Sequence, residues 1–274
     1  MHIVDRLTAM LFVPGSRPER FAKALASGAD VVCIDLEDAV PNADKATARD
    51  DALRAIREAD DPRYALRING VSTRAGLADL LALADAETLP ALLLVPMVES
   101  AEEIAIIRAV LAPRTPSIVP LIETARGLRR AAEIAAMPGV AAMMFGGGDL
   151  SAELGVALAW EPLLHARGAF ILACAEAGVP AIDVPFIALD DMDGLAAETR
   201  AAKAMGFAAK AAIHPAQIAP IHAVLRPTAE EIAQAREAIA AFDAAGGAAI
   251  RFKGQMLEAP IVRRFQRVLN NAES

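Results

Sequence analysis

The sequence predicts an α/β fold, a TIM (β/α)8 barrel carrying a C-terminal helical arm, and three observations predict it. Eight short runs rich in β-branched and aliphatic residues recur along the 274-residue chain. Segments of helical periodicity, rich in Ala, Leu, Glu and Arg, follow them, so strand and helix alternate. The first run leads into Pro14-Gly-Ser-Arg-Pro18 and lacks the Gly-x-Gly-x-x-Gly turn of an open doubly wound sheet, which favours the closed barrel.

In chain order the strand runs are Thr8–Val13, Val31–Leu36, Tyr64–Ile68, Ala91–Met97, Ser117–Ile122, Val140–Phe145, Pro180–Val184 and Ala208–Ile213. The helical segments are Arg20–Ser27, Lys45–Ala59, Ala75–Ala84, Ala101–Ala112, Gly127–Ala136, Pro162–Ala177, Gly194–Met205 and Pro215–Leu225. Ahead of the first helix, Ser16 is expected as N-cap and Pro18 in the first turn, where proline is tolerated. Beyond Pro227 come a helix over Ala229–Ala244, a break at Gly246-Gly247 and an amphipathic helix over Ile261–Leu269. Residues 1–226 are thus read as the barrel. Residues 227–274 are read as an extension packing on the barrel or on a neighbouring subunit.

Composition narrows the function. Hydrophobic residues make up 55% and aromatics 4%, so the core must be built from Ala, Leu, Ile and Val. A net charge of −8 argues against general nucleic-acid or anionic-membrane binding, while leaving room for a local phosphate site. Mean hydropathy is +0.37, yet no apolar stretch approaches the roughly 20 residues of a membrane span. The N-terminus lacks a signal-peptide layout, and Cys33 and Cys174 sit in apolar contexts without metal-ligand spacing. The expectation is a cytoplasmic protein with two buried reduced thiols.

Barrel enzymes build their sites where strands end. There the sequence places Ser16-Arg17, Asp35-Leu-Glu37-Asp38, Arg67-Ile-Asn69, Glu99, Glu123, Asp149, Asp183 and His214. So many acids together call for a cation or for protonation. Glu123 and Asp149 leave consecutive apolar runs and suit Mg²⁺, which takes one or two carboxylates and fills its other positions with water and substrate oxygens. No His/Cys cluster points to Zn²⁺. A helix N-cap is the other role open to each acid. Glu37, Asp38 and Glu99 are read as hydrogen-bonding groups behind the ligands.

Arg67 emerges from a strand, and its guanidinium matches a substrate carboxylate bidentately; a salt bridge to Glu37 or Asp38 is the competing use. Asn69, Arg17 and Glu123 join it as candidate substrate contacts. Arg20 and Lys23, after a helix start, suit phosphate groups or form a solvated cationic face. Gly146-Gly147-Gly148 is read as letting backbone or substrate approach Asp149. Lys210 is the one strand lysine that could form a Schiff base. His165 and His222 are read as surface or packing residues, and His214 as a structural hydrogen-bonding residue.

Taken in order, Leu11-Phe-Val-Pro-Gly-Ser-Arg-Pro-Glu-Arg-Phe21, Asp35-Leu-Glu-Asp38, Arg67-Ile-Asn69, Pro120-Leu-Ile-Glu-Thr-Ala-Arg-Gly127, Gly146-Gly-Gly-Asp-Leu150 and Ile213-His-Pro-Ala-Gln217 resemble the citrate lyase β-subunit-like proteins of the aldolase/citrate lyase family. The resemblance implies a TIM barrel, Mg²⁺ at Glu123 and Asp149, and reversible carbon–carbon cleavage of a 3-hydroxyacyl-CoA of the citryl-, malyl- or citramalyl-CoA type. By the same resemblance Arg67 would bind the keto-acid carboxylate, Ser16–Lys23 would lie near the CoA entrance, and the chain would form a homo-oligomer, a trimer or higher. The family's C-terminal segment reads Gly-x-Met-Ile-Asp-x-Pro, its Asp reaching a neighbouring active site as acid or base. Here Gly254-Gln-Met-Leu-Glu-Ala-Pro260 puts Glu258 in that place. A methylene longer, Glu258 displaces the carboxyl group by roughly a bond length, and about 1 Å of misplacement can cost about 10²-fold in rate. Thioester hydrolysis after condensation, and a non-catalytic or carrier-dependent subunit of a citrate lyase complex, are the alternatives that the resemblance leaves open.

Overall fold

The computed structural model describes residues 3–273; Met1, His2 and Ser274, at the ends of the two expected regions, lie outside them. Eight parallel strands close a barrel in sequence order: β1 (Ala9–Pro14), β2 (Val31–Asp35), β3 (Tyr64–Arg67), β4 (Leu92–Val95), β5 (Ser117–Ile122), β6 (Met143–Phe145), β7 (Ala181–Asp183) and β8 (Ala209–Ala212). β1 pairs with β2 on one side and with β8 on the other. Every strand overlaps its expected run.

Around the strands lie α1 (Phe21–Leu25), α2 (Lys45–Ala59), α3 (Arg74–Asp85), α4 (Ala101–Leu111), α5 (Ala125–Arg129), α6 (Ala131–Ala135), α7 (Gly147–Leu154), α8 (Trp160–Ala177), α9 (Met192–Met205) and α10 (Ile218–Leu225). α11 (Ala229–Ala244), the hairpin β9 (Ile250–Phe252) and β10 (Gln255–Leu257), and α12 (Ala259–Glu273) form the arm. α12 packs on α11. Among the described residues no helix is long and apolar enough to cross a membrane.

Period-two alternation sorts the core into two layers. Met10, Val31, Cys33, Ala65, Leu94, Val119, Leu121, Met144, Ile182 and Ala211 form one buried cluster inside the barrel. The intervening positions, Leu11, Val32, Leu66, Leu93, Ile118, Phe145 and Ala212 among them, pack outward against helical residues such as Ile104, Ile107, Phe170 and Ile221. Continuing the inward phase by one step past the apolar layer reaches Phe12, Asp35, Arg67, Glu123 and Gly146. The alternation that builds the core therefore also aims the polar residues at the mouth.

The structure departs from expectation in four places. The segment expected as one helix over Gly127–Ala136 is two short ones, broken at Arg130 (φ −108°, ψ 8°). A helix not foreseen, α7, begins directly behind β6. Ser16 caps nothing: a 3-10 turn over Pro18–Arg20 follows Arg17, without a side-chain cap. The arm contains a hairpin whose two-residue turn, Lys253 (φ 45°) and Gly254 (φ 84°), has the paired positive φ of a type I′ turn.

Asp183 and Lys210 take the outward phase and bury charge between barrel and helices. Lys210 Nζ donates to Asp183 Oδ2 (2.6 Å), Val184 O (2.8 Å) and Glu198 Oε1 (2.8 Å), using all three of its hydrogens. Arg167 Nε donates to Asp183 Oδ1 (3.1 Å), and its guanidinium lies against Trp160 and Phe145. This corrects the Schiff-base expectation, because a fully donating ammonium salt-bridged on the outer side of the barrel is not a free nucleophile at the mouth. Replacing Lys210 by Met leaves the buried Asp183 and the half-buried Glu198 each short of a partner. Urea denaturation should show a loss of about 3–5 kcal/mol.

Candidate active site

At the C-terminal end of the strands lies a hollow of about 430 Å³, lined by Phe12, Pro14, Asp35, Asp38, Arg67, Leu121, Glu123, Met144, Asp149 and Ile213 with neighbouring small residues. Glu123 enters it from the residue after β5. Thr124 supplies the cap of α5, accepting from Gly127 N, so Glu123 is released from the N-cap role. Its Oε2 accepts the Met97 amide at 2.7 Å. Met97 holds a positive φ of 55°, unusual for a side chain of its size, and that backbone turn aims the amide at Glu123. On the other side, a Cβ on Gly146 would stand 2.0 Å from Glu123 Cγ, so glycine is required there. The expected close approach is thus to Glu123 rather than to Asp149.

Asp149 sits in the first turn of α7, where the helix N-terminus favours a negative charge, and Gly146 rather than Asp149 is the cap. Glu153, one turn further along α7, accepts the Ala125 amide at 2.7 Å and ties α7 to the start of α5. Glu123 and Asp149 therefore come from two segments braced against each other. Burial pushes Glu123 up to about 7, with Asp149 and Asp38 adding to the shift and the Met97 amide and Arg67 opposing it. Asp149 is also raised, by burial and then by Asp38. Acids held above their ordinary range beside one another are relieved by a divalent cation. Two hard carboxylates with room beside them fit Mg²⁺, and among the described residues no cluster of three or more His, Cys, Asp or Glu competes for it.

Arg67 stands opposite. Nε and Nη2 donate to the two oxygens of Asp35 at 2.7 and 2.6 Å, Nη1 lies 2.7 Å from Glu37 Oε2, and Phe12 packs beneath the guanidinium at 5.1 Å. The internal pairing is thus with Asp35 and Glu37, not Asp38. It does not consume the fork, since a guanidinium has five N–H groups and Arg67 still lines the hollow. Burial alone would lower the Arg67 pKa; the hydrogen bonds and charge of Asp35, then Glu37, outweigh it and keep the cation firmly protonated. Glu37 itself rises to about 8 through burial, against the pull of Arg67.

Asn69 requires correction as a substrate contact. Its amide N and Nδ2 donate to Asp79, Nδ2 also reaches Leu36 O, and its Oδ1 accepts from Lys45 Nζ at 2.6 Å. Both polar atoms of the side chain are engaged within the protein, and Asn69 does not line the hollow. Lys45 completes this brace by donating to Leu36 O and Glu37 O. Glu99 holds Thr124 and Arg126 at the start of α5, outside the hollow. Arg17 and Arg20 lie exposed on either side of Glu19, and Lys23 is exposed on α1; none of the three lines the hollow. Glu258 is exposed at the start of α12, its carbonyl accepting from Ile261 and Val262, and it is likewise absent from this lining. His214 is structural as expected, its Nδ1 accepting from Ala216 N.

Sequence reading put Asp35 at the rim without giving it a role in the hollow, and gave Phe12 none. The signal was available: Val31, Cys33 and Asp35 share one phase of β2, and Met10 and Phe12 share one phase of β1. The Lys45 brace carries a measurable expectation. Lys45→Met removes three hydrogen bonds from a charged donor and should cost about 1.5–3 kcal/mol in urea denaturation, with Lys45→Arg retaining part of it.

Comparison with known proteins shows the family. The HpcH/HpaI aldolase/citrate lyase family model matches residues 8–215, and a model described as a C-C bond lyase of the TIM-barrel fold matches residues 171–274. A citrate lyase subunit beta-like protein of Mycobacterium tuberculosis is 39% identical over 271 residues, covering 96% of this chain and 94% of the relative. An L-malyl-CoA/beta-methylmalyl-CoA lyase of Cereibacter sphaeroides is 33% identical over 297 residues, covering 96% and 93%. The crystal structure of CitE from M. tuberculosis in complex with magnesium, acetoacetate and coenzyme A superposes with a TM-score of 0.83 at 37% identity, covering 98% of this chain and 99% of that one. On fold, motifs and relatives together, the chain belongs to the HpcH/HpaI aldolase/citrate lyase family.

Proposed function

We propose that the protein is a Mg²⁺-dependent carbon–carbon lyase that splits a 3-hydroxyacyl-CoA thioester reversibly into acetyl-CoA and a keto acid. The observation that carries this reading is the sharing of one hollow by Glu123, Asp149 and Arg67. A cation held by Glu123 and Asp149 would supply Lewis-acid stabilisation of charge on the substrate's hydroxyl and carboxylate oxygens. The M. tuberculosis relative, with magnesium, a keto acid and coenzyme A in one complex, supports that assignment.

The chain's own residues account for the rest. Arg67 clamps the substrate carboxylate with the N–H groups left free by Asp35 and Glu37, fixing the bond to be broken relative to the base. Removal of the hydroxyl proton starts the cleavage. The electrons of the carbon–carbon bond pass to the acetyl-CoA fragment as an enolate, which takes up a proton at carbon while the keto acid is released. Glu258 serves as acid or base by reaching the mouth of a neighbouring copy, because it lies away from its own. Arg17, Arg20 and Lys23, on the loop and helix after β1, receive the CoA phosphates.

Glu123→Gln and Asp149→Asn should each abolish cleavage and weaken Mg²⁺ binding by at least tenfold in titration calorimetry, with circular dichroism unchanged. Full metal-dependent turnover by either variant would sink the assignment. Gly146→Ala should have the same phenotype, because the new methyl displaces Glu123. The Glu123 pKa near 7 sets the pH dependence. A proton competes with the metal below that value, so Mg²⁺ affinity should rise from pH 6 to pH 8 and level off above. In metal-free protein the raised pKa contributes stability that is present below about pH 4.5 and lost as pH rises through 7. Melting with and without Mg²⁺ should therefore diverge most above pH 7. Glu258→Gln and Glu123→Gln, inactive separately, should recover activity when subunits are mixed; no recovery would place the base elsewhere.

A further inference from the structure

The loop that follows β7 is a wall with a space on each side of it. Val184 and Pro185 line the hollow at the mouth. The same two residues line a second hollow of about 200 Å³, bounded also by Leu158, Ala159, Arg167 and Glu198. Arg167 belongs to α8 and Glu198 to α9, so this second space lies outside the strands, between two helices. Close packing behind a wall stops it from yielding, and here the packing is interrupted.

Two buried side chains hold the wall in place. Lys210 Nζ donates to Val184 O (2.8 Å), and Gln217 Nε2 donates to Phe186 O (2.7 Å). Gln217 is fully buried, and its Oε1 accepts from Ile213 N at 2.9 Å and from His214 N at 3.3 Å. One amide thus ties the loop after β7 to the loop after β8, whose Ile213 also lines the mouth. Lys210 neutralises Asp183 and Glu198 as well, so Gln217 is the tether that can be cut without unpairing a buried charge.

The wall also faces the carboxylate clamp. β3 and β7 are separated by the same number of strands in either direction around the closed barrel, so Arg67 and the Val184–Pro185 wall stand on opposite sides of the mouth. Glu123 and Asp149 lie between them, after β5 and β6. A carboxylate held by Arg67 therefore directs the far end of its molecule at this wall. We infer that Gln217 is a positioning residue that fixes the depth of the hollow on that side, and so limits the chain a bound keto acid carries beyond its carbonyl. The inference rests on the lyase reading above and deepens it by naming what sets the size limit of the same site. Without the Nε2 donor the wall moves back toward α8 and α9 into the second hollow, and the first one lengthens. Each methylene then accommodated gains about fourfold in affinity.

The test is calorimetric binding of pyruvate, α-ketobutyrate and α-ketovalerate to the full-length protein with Mg²⁺. Gln217→Glu keeps the acceptor for Ile213 N and His214 N but cannot donate to Phe186 O; Gln217→Met removes the donor without bringing in a charge. In both, affinity for α-ketovalerate relative to pyruvate should rise about tenfold or more. Adding Ala159→Leu, which enlarges a side chain lining the second hollow, should return the ratio toward that of the unaltered protein. A ratio unchanged in both variants while the melting temperature falls would make Gln217 merely structural, overturning the inference and leaving the lyase reading intact. A raised ratio that Ala159→Leu does not reverse overturns the retreat into the second hollow. If no keto acid binds to any form, the lyase reading falls and hydrogen exchange decides the tether. Faster exchange at residues 184–188 in the Gln217 variants, with residues 123–127 unchanged, retains it; unchanged exchange at both overturns it.

Discussion

Asp35 and Arg67 stand directly opposite each other on β2 and β3, and their two short hydrogen bonds settle how a mouth crowded with acids stays folded. A guanidinium this buried is costly unless its charge is met, and the bidentate geometry meets it. Once fixed, Arg67 lowers the cost of every neighbouring carboxylate: its charge opposes the upward shifts of Glu37, Glu123 and Asp149. Glu123 and Asp149, raised by burial and outside that pairing, are the ones free to take a cation. Structural pairing and chemical readiness are thus divided between two sets of carboxylates around a single base.

The precision of the mouth is set from outside it. Lys45 joins the loop after β2 to the one after β3 through Leu36, Glu37 and Asn69, and Asp79 anchors the same Asn69 from α3. Glu153 joins α7 to α5, while Met97 and Gly146 close on Glu123 from opposite sides. Each brace links loops that carry different site residues. The barrel supplies the inward direction, and these few polar contacts fix position along it.

Much of this was legible in the residues. The eight runs place the strands because burial on both faces demands continuous apolar segments, and carboxylates at their ends mark the rim. Glu123, Asp149 and Arg67 could be picked out for that reason. Asn69 misled because its position beside Arg67 looks the same in sequence whether its amide faces a ligand or Asp79. Ser16 misled because a hydroxyl near a helix start is a cap only if the first turn is helical, and here a 3-10 turn intervenes. α7 escaped notice because three glycines read as a loop, although Gly147 and Gly148 occupy its first turn.

The sequence by itself determined the barrel, its two-layer core and the family, because alternation and motif order are local properties that survive without coordinates. Only the tertiary structure decided the partners. Whether Arg67 meets Asp35 or Asp38, whether Lys210 is nucleophile or strut, and which side Asn69 serves all depend on which side chains converge across strands far apart in the chain. Hydrogen-bond donors have directions and finite number, and a residue's chemistry is what remains after its neighbours have taken theirs.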